Sequence, residues 1–321
     1  MTGDTMNRTG KWLTGIGAAT AALGGGLALW SALGARGAEA AVPQDGAMLD
    51  VPGGRLHYVD RGSGMPIVML HGLLGQLRHF SYALADRLVS DYRVILIDRP
   101  GWGYSTVEGA HPGIAEQADM VAALMQRLAL EQPVVVGHSM GGALALALAI
   151  QHPQLVGALG LIAPLTQVVD TTPDAFRGLE IESPALRALM SWTLAVPVGT
   201  VTAVETLRKI FAPDAVPADF AGRGGGALSL RPQSFRAGST ELLAAPEAVG
   251  ALVPRYGEIA VPTSILYGRQ DAILDPELHG RVTANAIPDA TLEIVTGGHM
   301  LPLAHPRATE AWLRRLIARR G

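Results

Sequence analysis

The pentapeptide Gly137-His138-Ser139-Met140-Gly141 lies between an apolar run, residues 133–136, and a helix-forming run, residues 143–150. The pattern G-x-S-x-G is common by chance, but a strand before it and a helix after it predict a sharp strand-to-helix turn. Such a turn exposes the serine at the head of a helix, where free N–H groups carry partial positive charge. We therefore interpret Ser139 as a nucleophile and the N–H of Met140 as an oxyanion donor.

A nucleophilic serine needs a base to take its proton and an acid to orient the base. Asp271 is the first acid in the loop after a later apolar run, and His299 follows the next such run and two glycines. Because parallel strands end at one edge of a sheet, Ser139, Asp271 and His299 are predicted to converge there. Asp275 and Asp170 stay open as rival acids.

The loop after the apolar run 66–70 is predicted to supply the second oxyanion donor. Gly72 lets the backbone bend inward, so we assign this donor to the N–H of Leu73. His71 and His138 each occupy a turn beside a predicted donor, and they are candidates for loop support and for substrate contact. Trp102 is a candidate for lining the pocket.

From residue 46 onward, short apolar runs alternate with helix-length segments. Several runs are apolar throughout, as in strands buried on both faces of a parallel sheet. The predicted strands are residues 55–59, 66–70, 93–97, 133–136, 157–162, 263–267 and 291–295. The predicted helices are residues 77–89, 115–128, 140–151, 276–286 and 308–319. This alternation predicts an α/β fold with a mostly parallel sheet flanked by helices.

The strand pattern is interrupted once, between about residues 165 and 244, where helical stretches predominate. We predict a helical cap over the site, inserted between two parts of an α/β core, residues 46–164 and 245–321. The apolar side chains of the cap either pack it onto the core or wall a pocket, and Trp192 is our candidate for substrate contact.

The first 45 residues form a separate segment. Residues 12–35 carry no charge, and 24 helical residues reach about 36 Å, enough to cross a hydrocarbon core of about 30 Å. Arg8 and Lys11 precede this run and acidic residues follow it, so the positive-inside bias places the rest of the chain on the non-cytoplasmic side. We expect a membrane anchor. Cleavage of a signal segment near Ala40, or an apolar helix packed on the domain, are the alternatives.

Composition excludes several classes of function. Among 321 residues the net charge is −3, which offers no basic excess for a nucleic acid. No cysteine is present, so thiolate metal sites, disulfides and a cysteine nucleophile are excluded. The chain has no dinucleotide fingerprint, Walker loop or H-E-x-x-H spacing, and we predict neither a metal nor a cofactor. The expected partners are a small-molecule ester and a membrane, with the oligomeric state left open.

Five motifs together resemble the α/β-hydrolase fold family over the chain from about Leu49 to its end. They are His71-Gly72, the run Asp98-Arg99-Pro100-Gly101-Trp102-Gly103-Tyr104-Ser105, the run Gly137-His138-Ser139-Met140-Gly141-Gly142, Asp271, and Gly298-His299. The resemblance implies that these positions serve, in that order, as oxyanion loop, structural turn, nucleophile elbow, triad acid and triad base.

The nucleophile narrows the chemistry within that family. Epoxide hydrolases and haloalkane dehalogenases, which this sequence also resembles, use an aspartate, because its alkyl ester can be hydrolysed at the carbonyl. A serine would leave a stable ether, so Ser139 favours acyl chemistry, and carboxylic ester hydrolysis through an acyl-enzyme is the default interpretation. Amide hydrolysis, carbon–carbon bond hydrolysis, acyl transfer and perhydrolysis stay open. A non-catalytic binding protein of the same fold is a further alternative, but all three triad residues are intact.

Overall fold

The computed structural model describes residues 3–169 and 171–320, with only the backbone described for residues 3–20. Within these residues, nine strands form a single sheet. They are β1 Ala47–Val51, β2 Gly54–Arg61, β3 Pro66–Leu70, β4 Arg93–Ile97, β5 Thr106–Val107, β6 Val134–His138, β7 Ala158–Ile162, β8 Thr263–Gly268 and β9 Thr291–Val295.

Ten α-helices accompany the strands in the described part of the chain. They are α1 Gly3–Ala41, α2 Arg78–Ser81, α3 Ile114–Arg127, α4 Met140–Gln151, α5 Pro184–Thr193, α6 Ala195–Phe211, α7 Pro232–Leu252, α8 Val282–Ala286, α9 Leu301–Ala304 and α10 Pro306–Arg319.

The strand order is β1-β2-β4-β3-β6-β7-β8-β9, with β5 paired to β2. The pairings of β2 with its neighbours are antiparallel, and every pairing from β4 through β9 is parallel. The predicted parallel α/β architecture is therefore confirmed. Because β6, β8 and β9 run in the same direction, the loops that follow them lie at one edge of the sheet.

Both faces of the sheet are buried, which explains the uninterrupted apolar runs of the sequence. Along β3, Val68 and Leu70 belong to one core cluster, whereas Ile67 and Met69 belong to a second. Helices α3 and α4 contribute to the first cluster, and α10 contributes to the second. Side chains alternate across a strand, so a strand with helices on both sides needs apolar residues at every position.

Several elements differ from the sequence prediction. The edge strands β1 and β5 were not predicted, since they are short and most of their positions are exposed or only partly buried. The helix predicted over 77–89 is only the short α2 and one 3-10 turn. The helix predicted over 276–286 begins as a π-helix before α8. Local periodicity does not distinguish such broken turns from a continuous helix.

The segment between β7 and β8 is helical, as predicted. It contains α5, α6 and α7, and α5 follows the N-cap residue Ser183, whose side chain accepts a hydrogen bond from the N–H of Leu186. Pro184 takes the first helical position after this cap, as its fixed φ favours. Helix α7 continues past residue 244, so the predicted end of the cap falls inside a helix.

The predicted membrane segment, residues 12–35, belongs to the long helix α1. The side chains of residues 12–20 lie outside the described ones, and the anchor stays a prediction. Across the described residues, no single helix has both the length and the hydropathy to cross a membrane. The pair α5 and α6 together meets these two criteria, with a bend of 73° between them.

Candidate active site

Ser139 occupies the turn between β6 and α4 with φ 56° and ψ −121°, a strained conformation for a residue other than glycine. The flanking glycines are required by close packing. A Cβ at Gly137 would overlap the carbonyl oxygen of Gly141, and a Cβ at Gly141 would overlap that of Leu70. Met140 is the first residue of α4, where its N–H has no intrahelical acceptor. The turn thus has the geometry of a nucleophile elbow.

His299 and Asp271 form the second part of the site. His299 Nδ1 lies 2.8 Å from Asp271 Oδ2, and both side chains are almost fully buried. The other carboxylate oxygen of Asp271 accepts the N–H groups of Ile273 and Leu274 at 2.8 and 3.0 Å. These bonds hold the acid against the imidazole and leave His299 Nε2 for another partner. The rival Asp275 instead caps the following helix, and Asp170 lies outside the described residues.

His138 connects the elbow to the histidine loop. Its Nε2 lies 3.0 Å from the carbonyl oxygen of His299, and the two rings are 4.9 Å apart. Burial, together with the neighbouring His299, holds the pKa of His138 well below its usual range. A neutral His138 therefore donates from Nε2 and fixes the backbone of the predicted base.

The loop after β3 is held by hydrogen bonds to the carbonyl of Gly72. This oxygen accepts from Gly75 N at 3.2 Å, His71 Nδ1 at 2.9 Å and the Arg99 guanidinium at 3.3 Å. In a trans peptide the N–H points opposite to the C=O, so these donors turn the N–H of Leu73 the other way. A Cβ on Gly72 would lie 2.9 Å from Ser139 Cβ, which places the loop directly against the elbow.

A buried ion pair supports this loop from behind. Arg99 and Glu241 are joined by two bonds of 2.6 and 2.9 Å, and Gln117 bonds to both partners. Burial opposes the charge on Glu241, yet the Arg99 cation beside it lowers the pKa of this carboxyl below its ordinary value. Glu241 belongs to α7, so the oxyanion loop is tied to the last helix of the segment between β7 and β8.

Asp98 organises the turn that precedes Trp102. Its carboxylate accepts the backbone N–H groups of Leu77 and Tyr104, both at 2.8 Å, and contacts His57 Nδ1 at 2.7 Å. The side chain is fully buried and lines neither cavity at Ser139. Asp98 therefore has the structural role that the sequence indicated for the run 98–105.

Two cavities meet at Ser139. The larger has a volume of about 480 Å³, lies under α5 and α6, and is also lined by His138 and His299. The smaller, of about 260 Å³, lies on the side of α7 and the loop after β7. Ser139, Leu73 and Phe176 line both. Most other lining side chains are apolar, as in sites that bind small organic ligands.

The predicted substrate contacts are only partly placed at these cavities. His138 lines the larger cavity. His71 does not line either one, because both ring nitrogens are used by the Gly72 carbonyl and the Arg99 N–H. Trp102 is buried beneath the loops. Trp192 lies on the outer side of α5 with 46% of its surface exposed. The structure thus places His138 at a cavity and does not bring His71, Trp102 or Trp192 to one.

The sequence analysis missed His79. It lines the larger cavity, it is 6% exposed, and its Nδ1 is buried with no hydrogen-bond partner among the described residues. Burial lowers the pKa of His79 to about 4, so the ring is neutral at pH 7. A helical position alone gave no indication that this side chain turns toward a cavity. His79 is thus a neutral polar side chain in the largely apolar wall of the larger cavity.

The cavities offer no free positive charge in the described part of the chain. Arg231 is the one cationic residue of their walls, and its guanidinium is bound to the carbonyl oxygens of Gly103 and Leu228 and to Glu39. Within the described ranges, no cluster of three or more potential metal ligands occurs. The one cation of the described walls is thus already paired with protein groups.

His279 supports the wall of the smaller cavity and provides a test of the buried histidines. Its Nδ1 accepts the N–H groups of Thr166 and Gln167 at 3.2 and 3.1 Å, and burial lowers its pKa to about 4. The unfolded chain binds this proton near pH 6.5. We therefore expect His279 to lower the free energy of unfolding between pH 6.5 and 4, by up to about 1.4 kcal/mol per pH unit.

Urea unfolding followed at pH 7, 6 and 5 measures this effect. His279→Asn should lose stability at pH 7 but show a smaller decrease with acid than the original protein. Leu278→Asn, at an exposed position of the same π-helix, is the matched control and should keep the original pH dependence. Equal acid dependence in His279→Asn and the original protein would contradict the assignment.

Comparison with known proteins is consistent with this geometry. The alpha/beta hydrolase fold family matches residues 65–306. A 2-hydroxy-6-oxo-6-phenylhexa-2,4-dienoate hydrolase of Comamonas testosteroni is 28% identical over 249 residues, which cover 74% of this chain and 82% of that protein. The acetyltransferase component of an acetoin cleaving system of Cupriavidus necator is 38% identical over 117 residues. That similarity covers only 36% of this chain and 31% of that protein.

A solved structure shares the architecture. The thermophilic esterase of Thermogutta terrifontis has a TM-score of 0.62 and 23% sequence identity, and the similarity covers 84% of this chain and 99% of that one. Structural similarity at this level shows a common fold. The chemistry of this chain has to be argued from its own residues.

Proposed function

Since this chain belongs to the α/β-hydrolase fold family, we propose that it is a serine hydrolase that cleaves carboxylic esters with apolar groups. The observation that carries the proposal is the position of Ser139. It lies on a strained elbow beside the His299–Asp271 pair and opens onto two largely apolar cavities. An ester has two substituents on its reacting group, and two cavities that meet at the nucleophile can receive one each.

In the proposed reaction, an acyl-enzyme ester forms on Ser139 and water then hydrolyses it. Ser139 Oγ attacks the carbonyl carbon while His299 Nε2 takes its proton, and Asp271 orients and stabilises the imidazolium. The N–H groups of Leu73 and Met140 donate to the oxyanion. His299 then protonates the leaving alcohol, and an acyl-enzyme remains. Water, activated by His299, attacks this acyl group and releases the carboxylic acid and free Ser139.

Carbon–carbon bond hydrolysis is the second candidate, because the relative from Comamonas testosteroni is named for a dienoate substrate. A dienoate carries a carboxylate, and burying that charge requires a cation or several donors. Arg231, the one cation of the described cavity walls, is already bound to protein groups. This arrangement favours a neutral ester. Acyl transfer and perhydrolysis use the same acyl-enzyme and differ only in what attacks it.

We also propose that α1 attaches the protein to a membrane, with the catalytic domain on the non-cytoplasmic side. The uncharged run 12–35 is long enough to span a hydrocarbon core, and basic residues precede it. In α1 the residues after this run pack on the domain, where Glu39 pairs with Arg231 and Ala38 joins a small apolar cluster. Retained attachment is therefore favoured over cleavage near Ala40.

Hydrolysis of a p-nitrophenyl ester series from acetyl to long acyl chains, by the full-length protein in detergent, tests the proposed activity. We expect turnover with an optimum at a defined acyl length, because the cavities have fixed volumes. A matched acyl group that ends in a carboxylate should react at least about tenfold more slowly, given the cost of burying an unpaired charge.

The control is Ser139→Ala, which supplies the background rate. A 2-hydroxy-6-oxo-dienoate is assayed in parallel. If the folded protein cleaves the dienoate and no ester, the ester proposal is wrong and carbon–carbon hydrolysis takes its place. If neither compound is cleaved by folded protein, a binding role becomes the better interpretation.

A further inference from the structure

The exposed apolar residues of this protein are concentrated on one group of helices. Of the fifteen large apolar side chains exposed among the described residues, ten belong to α1, α5 and α6, and an eleventh, Leu194, lies between α5 and α6. On α5 and α6 and the residue between them they are Leu186, Leu189, Trp192, Leu194, Val198, Val201 and Val204, and on α1 they are Leu23, Leu29, Trp30 and Leu33. We call these eleven residues the cap face.

The three helices that carry the cap face pack against one another. Helix α1 contacts both α5 and α6. At the crossing with α6, a Cβ on Gly34 would lie 3.0 Å from Val196 Cγ1, so a side chain here would hold the helices apart. Val201 is 81% exposed and Leu189 is 61% exposed. Monomeric soluble proteins rarely leave apolar patches of this extent uncovered.

The sequence of these helices indicates what covers the face. Residues 188–204 of the cap contain no charged side chain, and neither do residues 12–35 at the N-terminal side. Two uncharged helical segments therefore adjoin each other on the same side of the molecule. A second protein copy would cover the cap face but would not account for the absence of charge in residues 12–22. A hydrocarbon phase accommodates both segments.

Tryptophan and basic residues on these helices fit a lipid surface. Trp30 and Trp192 are about half exposed, and tryptophan is enriched where a protein meets the headgroup region. Arg208 and Lys209 are exposed near the end of α6, where the apolar stripe gives way to charged residues. Cations at this position can contact anionic headgroups.

We propose that the cap face docks on a lipid bilayer and inserts its apolar side chains into it. Interfacial helices reach about 5–10 Å below the surface, a depth that α5 and α6 can attain without spanning the bilayer. Helix α6 also lines the larger cavity through Gly199, Ala203 and Thr206. The cavity that ends at Ser139 thus lies directly behind the docked surface. Delivery of a lipophilic ester from the bilayer rests on the proposed function, whereas the docking itself does not.

Because the chain has no cysteine, single-cysteine variants test the docking directly. Full-length Leu189→Cys, Val201→Cys and Val282→Cys are labelled with an environment-sensitive fluorophore and reconstituted in phosphatidylcholine–phosphatidylglycerol vesicles. Val282 is the matched control, an exposed valine of α8, a helix that carries none of the cap-face residues. We expect blue-shifted emission and quenching by shallow doxyl lipids at positions 189 and 201, and neither at 282.

Two outcomes would overturn docking. One is aqueous emission at 189 and 201 in vesicle-bound protein, and the other is equal quenching at all three positions. Crosslinking between two copies through position 201, without lipid quenching, would assign the face to a second copy. The fluorescence and crosslinking readouts do not depend on turnover. They therefore test docking even if the protein cleaves no ester.

A double variant tests the delivery of the ester separately from docking. Val201→Asp combined with Val204→Asp places charge on the cap face outside the cavity walls. We expect at least about a tenfold lower rate on a long-chain ester embedded in vesicles, since burying these charges in lipid is unfavourable, with no change on a short soluble ester. Val282→Asp should change neither rate. Equal loss on both substrates would contradict delivery, and an inactive but folded original protein would contradict the proposed function alone.

Discussion

Replacing Ser139 by alanine is expected to reduce ester turnover by at least about 10³-fold, because no acyl-enzyme can form without the nucleophile. The surrounding site should persist. Alanine keeps the Cβ at the elbow, and Asp271 holds His299 independently of the Ser139 hydroxyl. The measurement is kcat/KM for the best ester of the p-nitrophenyl series, together with thermal unfolding to verify the fold.

A covalent probe separates nucleophilic catalysis from simple loss of binding. An alkyl fluorophosphonate should add one adduct to the original protein and none to Ser139→Ala, as read by intact mass. Ser90→Ala removes an exposed serine of the core domain and serves as the control, which should label fully. Labelling of Ser139→Ala, or a rate within about tenfold of the original, would assign the chemistry to another residue.

The parts of this site that could be predicted from sequence are those with a local cause. The strained turn at Ser139 requires glycines on both sides, so it leaves a recognisable pattern. Asp271 and His299 each follow a buried strand, and the parallel sheet brings the ends of such strands to one edge. Apolar runs without alternation indicated that sheet correctly, because helices cover both of its faces.

The substrate contacts could not be predicted in the same way. Trp192 and His79 both occur in helical patterns, yet Trp192 turns outward from α5 and His79 turns into the larger cavity. A helix of the cap has one side toward the core and another toward its surroundings, and both sides carry apolar residues here. Periodicity indicates that a helix face is apolar, but it does not indicate whether that face packs on the core, lines a cavity or is exposed.

Glu241 shows a second limit, since its role depends on a pairing across 142 residues of sequence. In the chain it is one acid on a helix of mixed composition, for which a solvated surface position is the ordinary expectation. Only the fold brings it to Arg99, behind the loop that carries the predicted oxyanion donor Leu73. We therefore expect a substitution of Glu241 to affect both stability and catalysis.

Glu241→Leu is expected to lower the free energy of unfolding by about 3–5 kcal/mol, because it leaves the Arg99 guanidinium buried without its counter-charge. Turnover should also fall in the fraction that remains folded. Arg99 donates to the Gly72 carbonyl, and a guanidinium that moves releases the peptide that directs the Leu73 N–H. Urea unfolding and kcat at a temperature well below the transition are the two measurements.

A double variant separates the loss of the counter-charge from the loss of the Arg99 hydrogen bond to Gly72. Arg99→Met combined with Glu241→Leu removes both charges and should recover most of the lost stability, since apolar residues can replace a buried ion pair at little cost. The double variant should stay slow, because the donor to Gly72 is still missing. Glu247→Leu, an exposed acid on the same helix, should change neither quantity by more than about 0.5 kcal/mol. Full recovery of kcat in the double variant would show that the ion pair stabilises the fold without positioning the oxyanion loop.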